Sequence, residues 1–489
     1  MAELRIVDVS LRDGNQSLWG ATGLNTGRIL QIAPLLDRIG FHALDYTSST
    51  HMGVAVRTFR EDPWERIRLT REAMPNTPLQ FIGTGFRFIS WESVHPELMR
   101  LAYDRLVASG ISRFVVLDPM HDIDAMRRSA SMIRAAGAEE IMGALVYTVS
   151  DAHDDQLYAN LAKQLAETPE IDRVYIKDPA GLLTPERART LIPSVRARLG
   201  GKPLELHSHC TLGLSQLSYL AAAELGVEVL HVACGPLANG SSLPDAQRTV
   251  ANLRELGHTV DVDDRLLDRA ADYFHRMAVA EGLPAGAPQQ FDAAFLRHQI
   301  AGGVLTTTLR QLRELGLQDR FDAVIDEVDR VRTELGHPIM VTPFPQMVCS
   351  QALYNVIGHR RWETVSDQVI RYALGSFGRP TTPIDPGVAD RIHSLPRTKE
   401  LAAEPPPPTP QELRRTFGSR ISDEELLLRA TMPSEQVDAM VAAGPAKRHY
   451  NPDLAPVLRL LRELASRPSV PDLVVDKPDF HLELRGGHS

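Results

Sequence analysis

Short apolar runs alternate with longer amphipathic stretches over the first 260 residues, and this alternation constrains the fold more than any other feature. The runs have the length of buried strands, and the stretches between them have helical periodicity. The eight runs are Leu4–Ser10, His42–Thr47, Leu79–Gly83, Arg113–Leu117, Ile141–Val149, Arg173–Lys177, Leu204–His207 and Val227–Ala233. Eight strands, each followed by a helix, predict a (β/α)8 barrel of about 250 residues. A doubly wound open sheet would need fewer strands, and no GxGxxG loop follows the first run.

The rest of the chain is predicted to form a second, mostly helical domain. Residues 1–265 make up the barrel domain and residues 266–465 the helical domain, in which Val341–Pro345 has the composition of a loop. The proline-rich segment 405–410 is a stiff spacer. Residues 466–489 are polar and contain proline, so we expect a poorly ordered tail there. The predicted fold class is therefore α/β, a (β/α)8 TIM barrel followed by a mostly helical C-terminal domain.

The composition excludes several classes of protein. A net charge of −9 and a pI near 6.0 argue against a nucleic-acid-binding protein. Three cysteines with no CxxC pair argue against a disulfide framework and suit a reducing compartment. The amino terminus has no signal-peptide pattern, and no apolar run approaches the roughly 20 residues that span a bilayer. We therefore expect a cytoplasmic protein without membrane insertion.

Two histidines with i, i+2 spacing close the seventh apolar run. Alternate residues of a strand point to one face, so His207 and His209 present both imidazoles on the same side, as a metal site requires. Asp13 follows the first run, and Lys177 ends the sixth. The active site of a (β/α)8 barrel lies at the carboxyl ends of its strands. The four residues are therefore predicted to converge on one site.

Each of these residues also has an ordinary structural explanation. An aspartate in a turn commonly caps backbone N–H groups, a buried histidine commonly satisfies a hydrogen bond, and a lysine commonly forms an ion pair. Cys210, beside the histidine pair, is more simply explained by packing. Metal binding is favoured over these alternatives because all the candidates fall at the same end of one predicted barrel.

Motifs along most of the chain occur in an order that is specific to one family. They are Asp8–Ser17, Glu61–Arg66, Pro75–Gln80, Ile176–Pro185, His207–His209, Gly302–Gly303 and Val341–Pro343. Together they resemble the biotin-dependent carboxyltransferases, which include the carboxyltransferase domain of pyruvate carboxylase, the alpha subunit of oxaloacetate decarboxylase and the pyruvate-binding subunit of transcarboxylase. The resemblance covers about residues 5 to 465 and does not specify the substrate.

The resemblance implies a divalent metal, zinc or manganese. Its ligands are expected to be Asp13, Lys177, His207 and His209. A lysine ammonium has no lone pair to offer a metal. The place of Lys177 among the ligands therefore implies that CO2 carbamylates it, which turns it into an anionic oxygen donor.

The resemblance also implies catalytic residues and partners. Arg12 and Gln16 are expected to hold the substrate carbonyl and stabilise its enolate, and Thr342 is expected to relay a proton between substrate and biotin. The chain contains no Met-Lys-Met biotinylation motif and no ATP-grasp segment. Carboxybiotin is therefore expected in trans, on a separate biotin carboxyl carrier protein that a separate biotin carboxylase charges. A homodimer is also implied.

The sequence departs from the family pattern around the substrate. A supporting acidic residue of the family aligns with Gly53, its carboxylate-gripping arginine with Thr84, and a nearby tyrosine with Trp91. Arg87 lies three residues after Thr84 and is the nearest replacement for that arginine. We expect His51, Thr84, Arg87 and Trp91 to bind a ketone, acyl or 2-oxo acid substrate that is not plain pyruvate.

Two other functions stay open at the level of sequence. A metal-dependent lyase or aldolase would use the same barrel elements and an enolate without biotin. Phe344 and Pro345 keep this alternative open, because they replace small hydroxyl residues that contact biotin in the family. A non-catalytic scaffold within a carboxylase complex is the third possibility, and it predicts no bound metal.

Overall fold

The computed structural model describes residues 3–90, 92–300, 308–310, 312–314, 316–454, 457, 459–461, 463, 472–477 and 480–485. Eight parallel strands form a closed barrel, because β1 pairs with both β8 and β2. The barrel strands are β1 (Glu3–Asp8), β2 (Ala43–Ser48), β3 (Leu79–Thr84), β4 (Arg113–Leu117), β5 (Glu140–Val146), β6 (Arg173–Asp178), β7 (Leu204–Ser208) and β8 (Val229–Val232). The predicted barrel is confirmed, and each predicted run contains one of these strands in whole or large part. A short strand, β9 (Thr259–Val260), pairs with the start of β1 outside the barrel.

Helices alternate with the strands as predicted. They span Asn15–Trp19, Thr26–Leu36, Ser49–Val54, Pro63–Ala73, Pro96–Ala108, Ile123–Ala135, Asp155–Ala166, Pro185–Arg196, Ser215–Glu224, Ala246–Glu255 and Asp264–Glu281. Their starts follow from local sequence, as at Thr184, whose hydroxyl accepts a 3.1 Å hydrogen bond from the Arg187 N–H. Pro185 fits the first turn there, because its missing N–H has no helical partner in any case. Among the described helices, none combines the length and apolarity needed to cross a bilayer.

The second domain has a hydrophobic core of its own. Its helices are Phe321–Glu334, Phe344–Ile357, Asp367–Ala373, Pro386–His393 and Pro396–Ala402. The short helix Phe295–His298 precedes them and adds Phe295 to the core of the barrel. Helix Phe321–Glu334 packs along Phe344–Ile357. Phe344 and Pro345, predicted to lie in a loop, begin that helix, because a proline is tolerated in a first helical turn.

The second domain also covers the mouth of the barrel. Ile339 and Val341 pack against an apolar layer of the barrel interior that includes Leu117, Val146 and Tyr175. The segment that precedes Thr342 is therefore fixed over the carboxyl ends of the strands.

Three later helices belong to the barrel rather than to the second core. Pro410–Phe417, Asp423–Thr431 and Ser434–Ala443 contribute Leu413, Leu426, Leu427, Leu428, Val437 and Met440 to the same core as the strands. The prediction treated residues 266–465 as one helical domain. The difference arises at the proline-rich spacer, where residues 404–409 form neither helix nor strand and lead the chain back to the barrel.

The tail contains regular structure that was not predicted. Within residues 466–489, β10 (Asp472–Lys477) pairs with β11 (Phe480–Arg485) in antiparallel register, with Val474 opposite Glu483. The expectation of a poorly ordered tail rested on polarity and proline. It overlooked the period-two alternation of Phe480, Leu482 and Leu484, which favours a strand.

The placement of the later helices predicts the effect of a core substitution. Leu427→Ala should cost about 2–5 kcal/mol, because Leu427 is fully buried in the barrel core. Hydrogen exchange followed by mass spectrometry should show faster exchange in the barrel strands and unchanged exchange in Phe344–Ile357. Val441→Ala is the control, since Val441 is 58% exposed on a neighbouring helix. Faster exchange confined to Phe344–Ile357 would contradict this assignment.

Candidate active site

A π-helical turn, Ser10–Gly14, carries two predicted site residues from the end of β1 into the barrel mouth. Asp8 anchors the turn. Its Oδ1 accepts a hydrogen bond from the Ser10 N–H at 3.1 Å, and its Oδ2 accepts one from the Ser10 hydroxyl at 2.7 Å. Cys234 Sγ, just beyond β8, donates to the same Oδ2 at 3.3 Å. Arg12 and Asp13 are thereby held in place, and both are buried.

The four predicted metal ligands converge. Asp13 Oδ2 lies 3.0 Å from His207 Nε2, 3.3 Å from Lys177 Nζ and 3.5 Å from His209 Nε2. His207 Nε2 lies 3.2 Å from His209 Nε2 and 3.0 Å from Lys177 Nζ. All four side chains are buried. Closure of the barrel therefore brings residues from the ends of β1, β6 and β7 to one point.

The environment of this cluster favours the protonation states that bind metals. Burial alone would raise the pKa of Asp13, but Arg12, His209 and Lys177 hold it well below its usual range. Burial, together with the nearby charge of Lys177, holds the pKa of His207 well below its usual range. Burial also lowers the pKa of Lys177, with a further contribution from Arg12. The carboxylate is anionic and the imidazole neutral, as metal coordination requires.

The arrangement of lone pairs in the cluster is unfavourable without a cation and suits a divalent metal. His209 Nδ1 lies 2.6 Å from the Ser241 carbonyl oxygen, so it carries the proton and leaves a lone pair on Nε2. A lysine ammonium can only donate, so the contact of Lys177 Nζ with His207 Nε2 uses the lone pair of that nitrogen. Two lone pairs thus face each other beside a carboxylate, and a cation removes this repulsion. Ligands about 2.1 Å from a tetrahedral zinc ion lie roughly 3.4 Å apart, close to the separations of Asp13, His207 and His209.

Arg12 is held by two carboxylates. Its Nε donates to Asp45 Oδ2 at 2.8 Å, its Nη2 donates to the same oxygen, and its Nη1 lies 2.8 Å from Asp13 Oδ2. Burial alone would lower the pKa of Arg12, but the two carboxylates raise it, so the guanidinium keeps its charge. Asp45 was not singled out in the sequence. An acid within an apolar run, as in His42–Thr47, was the signal that could have revealed it.

A cavity of about 100 Å³ adjoins this cluster. Both domains line it. The barrel contributes Arg12, Gln16, Thr84, Arg87 and Lys177, and the second domain contributes Thr342. The structure therefore brings together all three predicted catalytic residues and two of the predicted substrate-binding residues.

The remaining predicted substrate-binding residues are placed differently. His51 is buried, and its Nδ1 lies 3.1 Å from Ser48 Oγ. It is not among the residues that line the cavity in the described part of the chain, because the helix Ser49–Val54 presents Ser49 and Thr50 there instead. Burial, with the charges of Arg12 and Arg66, lowers the pKa of His51 to about 3 and keeps it neutral. Trp91 lies outside the described residues.

Arg87 connects the cavity to the second domain. Its Nη2 donates to the Ser376 carbonyl oxygen at 2.9 Å, and its guanidinium carbon lies 4.7 Å from the centre of the Phe377 ring. Burial lowers the pKa of Arg87, and the nearby charge of Asp118 opposes this effect. Arg87 is a buried cation at the cavity wall, whereas Thr84, at the end of β3, brings no charge.

A second cavity, of about 540 Å³, adjoins the first. The two share Thr50, Ile89 and Ser90 in their walls. Gly53 lines the larger cavity, and a Cβ at that position would lie 3.2 Å from Ile89 Cγ2. Pro343, next to Thr342, also lines it. The absence of a side chain at Gly53 therefore leaves space beside Ile89 in the wall that the two cavities share.

Comparison with known proteins identifies the family. Residues 295–450 match the family described as the conserved carboxylase domain. A pyruvate carboxylase subunit from Methanocaldococcus jannaschii is 34% identical over 392 residues, which are 80% of this chain and 68% of that protein. The chain belongs to the biotin-dependent carboxyltransferase family. Another relative, the 2-oxoglutarate carboxylase large subunit of Hydrogenobacter thermophilus, is 29% identical over 92% of this chain and 70% of its own length.

The fold agrees with that of a solved member of this family. The carboxyl transferase domain of Rhizobium etli pyruvate carboxylase, determined with oxamate and biotin, superposes with a TM-score of 0.80. The sequence identity is 24%, and the superposition covers 90% of this chain and 78% of that chain. The family resemblance inferred from the ordered motifs is confirmed. The chain is a carboxyltransferase, and neither a lyase without biotin nor a non-catalytic scaffold is favoured.

The cluster geometry predicts the metal content of two matched variants. Asp13→Asn should reduce bound zinc or manganese at least roughly tenfold, because it removes the anionic donor common to the cluster. Elemental analysis of the purified protein measures this. Asp118→Asn is the control, since Asp118 is also buried beside a strand end but lies outside the cluster. Equal metal content in Asp13→Asn and the parent would contradict the site.

Proposed function

We propose that this carboxyltransferase moves CO2 between carboxybiotin, carried on a separate protein, and the enolate of a ketone or 2-oxo acid other than pyruvate. One observation carries the proposal. Thr342 of the second domain lines the same small cavity as Arg12, Gln16 and Lys177 of the barrel. A proton-relay group, oxyanion-binding groups and a metal-ligand cluster thus meet around a space for one small substrate.

Asp13, His207 and His209 supply three donors for zinc or manganese, and the ion, when bound, acts as a Lewis acid toward a developing oxyanion. Lys177 becomes the fourth donor after its uncharged amine adds to CO2 and releases one proton to solvent, which leaves an anionic carbamate. Its lowered pKa, caused mainly by burial, increases the fraction of uncharged amine. An increment of one CO2 on Lys177 in native mass spectra would support this step.

Arg12 and Gln16 are positioned to bind the substrate carbonyl oxygen. Arg12 is fixed by Asp13 and Asp45, so its charge is oriented before the substrate arrives. Thr342 is neutral and carries both a donor and an acceptor. The carboxyl group of carboxybiotin would leave as CO2, the nitrogen left behind would take the hydroxyl proton of Thr342, and Thr342 would take the proton from the substrate α-carbon. The enolate carbon formed in this way would then bond to the CO2. The charge of Thr342 is therefore unchanged at the end of the step.

The substrate is inferred from the charged groups around the cavity. Thr84 can offer a carboxylate a hydrogen bond but no charge, and Arg12 is already paired with two carboxylates. Arg87 also lines the cavity as a buried cation, and its contacts include the Ser376 carbonyl oxygen and the Phe377 ring. We infer that Arg87 binds the carboxylate of a 2-oxo acid at a position different from that expected for pyruvate. A relative named for 2-oxoglutarate supports a 2-oxo acid class beyond pyruvate.

The larger cavity supports delivery by a separate carrier. It adjoins the small cavity through shared walls and contacts Pro343 beside the proposed relay residue. Relatives of this chain are themselves named as subunits. We infer that a biotin carboxyl carrier protein, charged by a separate biotin carboxylase, presents carboxybiotin there. The homodimer implied by the resemblance stays a prediction that sedimentation velocity would test.

Isotope exchange tests the proposed reaction. With free biotin as the carrier substitute, the metal-loaded protein should exchange labelled carboxyl groups between carboxybiotin and 2-oxo acids of a panel that includes pyruvate. We expect exchange with a longer or more polar 2-oxo acid to exceed that with pyruvate. Thr342→Ala should lose at least roughly 100-fold in rate, as expected for a proton-transfer group. Thr342→Ser, which keeps the hydroxyl, should retain most of the rate, and equal rates in both variants would contradict the relay.

Arg87 provides a separate test of substrate recognition. Arg87→Met should raise KM for the preferred 2-oxo acid at least roughly tenfold, because losing a buried charge partner costs about 2–5 kcal/mol. Arg128→Met is the matched control, since Arg128 also stacks on an aromatic ring, Phe86, but does not line the cavity. Steady-state kinetics with both variants measure the difference. An unchanged KM in Arg87→Met would show that another group binds the carboxylate.

A further inference from the structure

A column of buried polar side chains runs through the barrel interior beneath the metal-ligand cluster. His207 Nδ1 lies 3.3 Å from His231 Nδ1, and His231 Nε2 lies 3.0 Å from Glu205 Oε2. Arg113 Nη2 donates to the other oxygen of Glu205. His207, His231 and Glu205 are fully buried, and Arg113 is 1% exposed. None of the roles proposed above uses His231, Glu205 or Arg113.

The hydrogen-bond directions in this column follow from Glu205, at the end farthest from the metal-ligand cluster. Glu205 Oε1 accepts the hydrogen bond from Arg113 Nη2, and Arg173 Nε lies 3.7 Å from the same oxygen, so the carboxyl group faces two guanidinium ions. Glu205 is therefore a carboxylate that can only accept. His231 Nε2 must then carry a proton, and a neutral imidazole has only one. His231 Nδ1 consequently presents a lone pair toward His207.

The same reasoning then reaches the metal ligand. A lone pair on His231 Nδ1 requires the proton of His207 to lie on Nδ1. His207 Nε2 is left with its lone pair, and this atom lies 3.0 Å from Asp13 Oδ2. The contact from Lys177 Nζ to His207 Nε2 independently requires a lone pair there. Two separate sets of contacts therefore assign the same tautomer.

The two histidines of the pair are controlled in different ways. His209 donates from Nδ1 to a backbone carbonyl of Ser241, which can never donate in return. His207 faces another imidazole, which can either donate or accept depending on where its proton lies. The tautomer of His209 is therefore fixed by its own hydrogen bond to Ser241. The tautomer of His207 depends on the tautomer of His231, which is fixed in turn by Glu205.

We infer that Glu205 and His231 are positioning residues that hold His207 in its metal-binding tautomer. This inference rests on the metal site of the proposed function. Tyr175 supports the arrangement, because its ring lies 4.9 Å from that of His231 and 5.6 Å from that of His207. Replacement of residues that orient a metal-ligating histidine typically weakens metal affinity roughly 10- to 100-fold.

Glu205→Gln is the most informative variant. Arg113 requires an acceptor, so the amide oxygen of the new glutamine would face Arg113 and its NH2 group would face His231. That NH2 group would donate to His231 Nε2 and move the imidazole proton to Nδ1, where it opposes the proton of His207. The substitution keeps the size of the side chain and reverses the hydrogen bonds above it.

The matched control is Glu140→Gln. Glu140 also receives a hydrogen bond from Arg113, from Nε at 2.5 Å, and it binds Arg173. It is not a hydrogen-bond partner of His231 or His207 among the described residues. Both variants therefore remove one carboxylate charge from Arg113, but only Glu205→Gln disturbs the column. His231→Phe is a second test, because it keeps a ring beside Tyr175 and removes the acceptor for His207.

Titration of the full-length metal-free protein with Co2+, followed by visible absorption, measures both affinity and ligand geometry. We expect Glu205→Gln and His231→Phe to weaken Co2+ binding roughly 10- to 100-fold and to change the absorption bands. Glu140→Gln should leave affinity and bands within about twofold of the parent. Excess Co2+ should restore the parent spectrum in a variant only if His207 can still adopt the tautomer that binds the metal.

Thermal unfolding of the metal-free forms separates orientation from general loss of stability. Equal weakening of Co2+ binding in Glu140→Gln would overturn the inference, as would unchanged binding in His231→Phe. His231→Phe decides the matter if Glu205→Gln fails to fold. A parent that binds no Co2+ would instead overturn the metal site of the proposed function, so the two failures are distinguishable.

Discussion

The site depends on one buried carboxylate. Asp13 Oδ2 lies within 3.5 Å of side-chain nitrogen atoms of Arg12, Lys177, His207 and His209. An isolated charge in such a place would be strongly disfavoured, and it is tolerated because several cationic or polar groups surround it. The turn that carries Asp13 is in turn fixed by a second buried acid, Asp8. The barrel end thus has a rigid anionic centre to which metal and substrate chemistry can be added.

The catalytic space is completed by the second domain. The barrel supplies the ligand cluster and Arg12, but Thr342 comes from the segment that Ile339 and Val341 fix over the mouth. Packing of those two apolar residues against the inner layer of the barrel determines the position of the proposed relay group. The rest of the second domain has its own core, so the relay segment is supported from both sides. The cavity is therefore complete only when the second domain is packed on the barrel.

The strands and the histidine pair could be predicted because both follow from short-range patterns, and the predicted barrel then brought Asp13 and Lys177 to the same end as that pair. Eight apolar runs and an i, i+2 histidine pair require no knowledge of packing. Glu205 stands two residues before His207 and so must share its face, yet an acid inside an apolar strand gave no indication of a partner. His231 and Arg113 could not be connected to it, because their pairing depends on the register of separate strands. The return of helices 410–443 to the barrel likewise depends on tertiary packing rather than on helical periodicity.

Substrate choice and metal chemistry are separable in this barrel. Arg12 already pairs with Asp13 and Asp45, so its remaining N–H groups can face an oxyanion but its charge is shared between two carboxylates before a third one binds. Binding a substrate carboxylate requires another cation in the cavity wall. Thr84 at the end of β3 brings no charge, whereas Arg87 in the following loop is a cation that contacts Ser376 and Phe377. Because Arg87 contacts the second domain, the proposed position of the substrate carboxylate and the placement of Thr342 depend on the same domain interface. Under the proposed function, an anchoring cation at Arg87 rather than at position 84 changes the 2-oxo acid that fits, while Arg12 and Gln16 keep their places.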